Sequence, residues 1–108
     1  MKNHLGVRKP PKRVSFIYPN GRRLKGTVLA EVYEKASYDG GDYLFVVQKI
    51  RIDGRASKQY DVRIGYYRKE HAETKWRWGS QTTFQADSRT TTRLLRKAKR
   101  SGIFRSDS

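Results

Sequence analysis

The sequence predicts an α+β domain, with about five antiparallel strands in a curved meander or partly open barrel and one C-terminal α-helix packed on it. Three observations carry that expectation. β-branched and aromatic residues alternate with polar ones at period two through most of the chain. Clusters of turn-forming residues separate these runs at the spacing of a meander. Only the C-terminal stretch changes to helical spacing.

The first run, Val14-Ser-Phe-Ile-Tyr18, is a strand stopped by Pro19-Asn20-Gly21. There Pro presets the first turn angle, and Asn-Gly tolerates the positive φ of a tight hairpin. In the second strand Leu24, Gly26, Val28, Ala30 and Val32 alternate with Lys25, Thr27, Leu29, Glu31 and Tyr33. A helix over Val28–Ala36 competes, because Glu, Lys and Ala sit there, but strict alternation favours the strand. After a break from Tyr38 to Asp42, Tyr43–Ile52 is the most β-prone segment of the chain. A loop around Asp53-Gly54-Arg55 leads to Tyr60, Val62, Ile64 and Tyr66, which alternate with Asp61, Arg63, Gly65 and Tyr67. A polar loop, Arg68–Thr74, then precedes a last strand at Trp76-Arg77-Trp78 that can extend toward Phe84.

The helix is expected over about 88–101. Asp87 or Ser88 can cap it, and Thr91, Leu94, Leu95 and Ala98 form a docking stripe. Gly102 suits the left-handed residue after the last turn, with Ile103 and Phe104 folding back as a clasp. Arg93, Arg96, Lys97 and Arg100 make a cationic ridge on a neighbouring face.

Length fits one domain of 108 residues. Without Cys there is neither a disulfide framework nor a Cys-based zinc site. No stretch approaches the ~18 apolar residues of a membrane span, and no leader-like apolar segment opens the chain, so the expected location is cytoplasmic. Net charge is +15 and unevenly spread. Met1–Ala30 holds eight Lys/Arg and no acid, Ser88–Ser108 seven against Asp107, and the middle ten against nine. This resembles a folded body, residues 14–105, carrying a disordered basic arm at residues 1–13, where Pro10-Pro11 blocks helix. Such a field raises association rates with polyanions.

Alternation also assigns faces. Val62, Ile64, Tyr66, Trp76 and Trp78 are expected to face the helix, as are Leu44, Val46, Ile50 and Ile52. Tyr43, Phe45, Lys49 and Arg51 would then face outward with Lys25, Thr27, Tyr33, Asp61, Arg63, Gly65, Tyr67, Lys75 and Arg77. An open face that interleaves cations with aromatics can follow a phosphate backbone while stacking bases, with Tyr43, Phe45 and Tyr67 as the platforms. The two Trp are expected in the core.

The function these readings favour is non-catalytic binding of nucleic acid, with single-stranded or structured RNA or DNA ahead of duplex. Arg8, Lys9, Lys12, Arg13, Arg22 and Arg23 would grip phosphate from the arm and first hairpin. Lys49, Arg51, Arg63 and Arg77 would do so from the sheet, and Arg93, Arg96, Lys97 and Arg100 from the helix. No cofactor, metal or catalytic residue is assigned. His4 and His71 sit in a tail and a loop, without a scaffold for a triad. The first alternative is a protein-interaction module with an acidic partner. The second is a small metal-dependent nuclease, on the loose pattern Asp61…Glu73-Thr74-Lys75.

Overall fold

The computed structural model describes residues 6–17, 20–38, 40–55, 60–70, 75–79 and 85–105. Five strands and one helix follow in order: β1 (Lys12–Ile17), β2 (Arg23–Tyr38), β3 (Gly41–Ile52), β4 (Asp61–Lys69), β5 (Arg77–Trp78) and α1 (Ser88–Ser101). All neighbouring strands pair antiparallel in the order β1-β2-β3-β4-β5, a simple meander. The sheet curls into a half-barrel, and α1 lies on its outer face against β2 and β3. The alternative helix over Val28–Ala36 is excluded, since that segment runs inside β2.

Local chemistry sets the element boundaries. Asn20 Oδ1 accepts the Arg22 N–H at 2.9 Å, so the first turn is held by an Asx side chain. Asp87 caps α1: its carboxylate accepts the Thr90 N–H and the Thr90 hydroxyl, each at 2.8 Å. At the other end Gly102 takes φ 81°, and the N–H groups of Gly102 and Ile103 return to the carbonyls of Lys99 and Ala98.

The faces differ from the alternation. β2 carries a bulge between Val28 and Ala30, and the two sides exchange there. Val28 points into the half-barrel, whereas Ala30, Val32 and Ala36 lie under α1 beside Tyr43, Phe45, Val47, Tyr66, Leu94, Ala98 and Ile103. The helix therefore covers Phe45, which is 1% exposed, instead of Leu44 and Val46. Those two face the hollow, because β3 is the central strand and is buried on both sides. On β4 only Tyr66 reaches the helix; Val62 and Ile64 on the same side are exposed. Leu95 leaves the docking stripe and is 40% exposed, and Phe104 is exposed while Ile103 is buried.

The amino-terminal boundary differs as well. β1 begins at Lys12, and Val7 is buried against Leu44 and Val46, so Val7 and Lys12 belong to the folded body rather than to an arm. Residues 1–5 lie outside the described residues.

Asp87 offers a pH test of the cap. The Tyr38 hydroxyl donates to it at 2.6 Å and, with the Thr90 N–H and hydroxyl, holds its carboxyl down at about 2. An unfolded Asp titrates near ~3.9, so the cap's contribution is complete above that value and is lost as pH falls toward 2. Asp87→Ala is expected to melt at lower temperature than wild type at pH 7, with the gap closing between pH ~5 and ~2. Thermal scans by circular dichroism measure this; a gap independent of pH would exclude the ionised cap.

Candidate functional site

The hollow of the half-barrel has apolar ends and a polar middle. Val7, Leu44 and Val46 fill one end with Tyr33, Tyr67 and Trp76 around them. Val28, Ile50 and Ile52 fill the other with Val14, Phe16 and Leu24. Between them β3 contributes Gln48, fully buried, and β2 contributes Glu31, whose side chain is 0% exposed.

A buried carboxylate is tolerated only with its acceptor sites filled. Glu31 Oε2 accepts from Lys12 Nζ at 2.9 Å and from the Tyr33 hydroxyl. Its Oε1 accepts from the Tyr67 hydroxyl at 2.9 Å and from Gln48 Nε2. Lys12 uses its other two donors on Tyr67 Oη at 2.8 Å and the Arg8 carbonyl at 2.9 Å. Gln48 Oε1 accepts from Arg63 Nε at 2.7 Å, which fixes the amide's orientation. Burial, and then the carboxylate it donates to, push the Tyr67 phenol well above its ordinary value, so it remains a donor.

This network also ties the open side of the half-barrel together. β1 and β5 are the two outermost strands of the five-stranded sheet. Lys12 of β1 reaches Tyr67 of β4, and the Arg63 guanidinium lies between the rings of Phe16 and Trp78, at 4.9 and 4.2 Å from their centroids. Gly65 makes that packing possible, since a Cβ there would meet the Trp78 ring at 2.6 Å.

Between the edges opens a cleft of about 500 Å³, lined by Gly6, Val7, Arg8, Lys12, Arg13, Val14, Ser15, Arg63, Tyr67, Lys75, Trp76 and Trp78. Five of these are cations and none is an acid. Lys12 is neutralised by Glu31, and Arg13 pairs with Asp53 at the rim. That pairing raises the Arg13 guanidinium and holds the Asp53 carboxyl below its usual range. Arg8, Arg63 and Lys75 have no carboxylate partner among the described residues.

Of the residues singled out in the sequence, the fold gathers Arg8, Lys12, Arg13, Arg63 and Tyr67 at this cleft. Lys12 is a buried structural cation, not a free phosphate clamp, because its ammonium is spent on Glu31. Tyr67 is half-buried with its hydroxyl in the network and its ring edge-on to Trp78, so it is no open platform. Phe45 is core, and Tyr43 stacks on it beside α1. Lys9, Arg22, Arg23, Arg51 and Arg77 are exposed outside the cleft, and Lys49 lies over the Tyr60 ring. On α1, Arg93 and Lys97 pair with Glu34 at 3.7 and 2.6 Å; the second is an ion pair without an aligned hydrogen bond, and both fasten the helix to β2. Arg96 and Arg100 are exposed.

Glu31 and Gln48 were missed as site residues, and Trp76 and Trp78, expected in the core facing the helix, line the cleft instead, with Trp78 exposed. The signal for Glu31 was present as an acid inside an otherwise alternating strand, but the bulge decides which way it faces. Of the nuclease-like pattern, Glu73 and Thr74 lie outside the described residues with His71, and Asp61 is paired with Arg55 at 2.6 Å. Among the described residues no three His, Asp or Glu side chains gather around a metal-sized point, and no helix is long and apolar enough to cross a membrane. No protein-family model, curated protein or solved structure matches the chain.

Proposed function

We propose that this protein binds nucleic acid in the cytoplasm without acting on it chemically, and that it prefers single-stranded or structured RNA or DNA to regular duplex. The observation that carries this reading is the cleft between β1 and β5, where cations and indole rings meet and, among the described residues, no acid lines the wall. Phosphate needs the first and an unstacked base the second. Lys9, Arg22, Arg23, Arg51, Arg96 and Arg100 spread the same sign over the surrounding surface, and the whole chain carries +15. A field of that sign favours encounter with any polyanion.

The test is a salt titration of oligonucleotide retardation. Affinity for a single strand is expected to fall linearly on a log–log plot, with a slope of about −0.7 for each phosphate neutralised. Absence of retardation at ~50 mM salt, or a flat salt response, would end this reading. The exposed Val62 and Ile64 on the outer face of β4 favour a second reading, a protein partner with an acidic surface. In that case polyglutamate would compete as well as an oligonucleotide does.

A further inference from the structure

Arg63 is a cation on the inner side of β4 with no carboxylate partner among the described residues. It is half-buried between Phe16 and Trp78, and desolvation pulls its guanidinium below the ordinary value. A cation held in this way normally faces a carboxylate. Here Nε donates to the neutral Gln48 amide, and the two terminal nitrogens make no hydrogen bond among the described residues. The nearby Glu31 carboxylate is fully engaged by Lys12, Tyr33, Gln48 and Tyr67. The two ring contacts and the Gln48 bond fix the guanidinium plane before any ligand arrives. Its remaining donors lie along a cleft that Arg8 and Lys75 also line, neither of them with a carboxylate partner among the described residues.

Beside it stands an indole with room left on it. Trp78 is 39% exposed, although Arg63 covers one part of it and Tyr67 meets it edge-on. The cleft, about 500 Å³, falls within the ~300–1,000 Å³ of small-ligand sites, so it suits one nucleotide and not a helix of paired ones.

We propose that the cleft between β1 and β5 seats a single unpaired nucleotide of a bound strand, its phosphate on Arg63 with Arg8 and Lys75, and its base against Trp78. This rests on the nucleic-acid reading above and sharpens it: surface cations give affinity for any strand, and the cleft selects strands with an accessible base. Arg63 is the phosphate ligand because its planar fork matches two phosphate oxygens. The Glu31 network is the positioning layer beneath it, holding Gln48 and hence the guanidinium.

The chain's two tryptophans both line the cleft, so intrinsic tryptophan fluorescence reports on this site alone. Wild-type protein is titrated at constant salt with an oligothymidylate, with the same strand made abasic throughout, with a duplex and with polyglutamate. The oligothymidylate is expected to quench the emission and to bind at least about fivefold more tightly than the abasic strand, the lower end of what one stacked base contributes. Arg63→Lys, which keeps the charge and loses the fork, is expected to weaken that strand about tenfold. Arg96→Gln with Arg100→Gln is expected to leave the base-to-abasic ratio unchanged. If both strands bind equally and the emission does not move, the cleft assignment falls while nucleic-acid binding stands. Equal quenching by polyglutamate makes the cleft a carboxylate site and overturns the nucleotide assignment. If no strand binds, both readings fail together. The base-to-abasic comparison uses only wild-type protein, so it decides even if Arg63→Lys fails to fold.

Discussion

Replacing Glu31 by Ala is expected to destabilise the domain by about 3–5 kcal/mol, the cost of leaving a buried partner charge unmatched. The Glu31 side chain is wholly buried and Lys12 nearly so. Its removal leaves the Lys12 ammonium with only the Arg8 carbonyl and Tyr67 oxygen, and strips an acceptor from Tyr33, Gln48 and Tyr67 at once. Domains of this kind hold roughly 5–15 kcal/mol in all, so the variant keeps a reduced margin. The urea midpoint measures the loss, provided the slope is unchanged. The double variant Lys12→Met, Glu31→Gln removes both charges together and is expected to recover at least half of the loss, because a buried ion pair contributes little beyond its own desolvation. A loss below ~1 kcal/mol for Glu31→Ala would show that water reaches the carboxylate.

Leu94→Ala is expected to cost about 2–5 kcal/mol, and Leu95→Ala under about 1 kcal/mol, although the two are adjacent and chemically identical. Leu94 is 0% exposed beneath α1, packed with Phe45, Val47, Tyr66, Ala98 and Ile103; Leu95 is 40% exposed. Truncating the first leaves a void in a close-packed layer, and truncating the second removes area still partly in water. At roughly 4–8 °C per kcal/mol for a domain of this length, thermal unfolding separates the pair. Equal losses would mean that the helix is rotated about its axis from the position described.

The local features of this fold were legible in the chain. Strands, turns and the helix follow from short-range chemistry: the β-prone run of β3, the alternation of β4, Asn20-Gly21 in the first turn, Asp87 at the helix start and Gly102 at its end. Each depends on residues within a turn or two of one another, which sequence spacing records. The choice of face does not. Period two separates a strand into two sides without saying which the helix will cover, and on β3 both sides are apolar because the strand is central. A single bulge at Leu29 then turns Glu31 and Tyr33 into the hollow and sends Ala30 and Val32 under the helix. The cleft lies further from the reach of sequence. Its cations come from the amino-terminal segment, β1, β4 and the residues before β5, and only the curl that brings β1 toward β4 and β5 places Arg63 between Phe16 and Trp78. Lys12 and Arg63 look alike as cations in strands, but one folds onto a buried acid and the other onto two rings. Composition determined that the protein would be strongly cationic. The curling of the sheet decided which cations are consumed within the fold and which have no carboxylate partner among the described residues, because pairing a buried charge is a long-range contact.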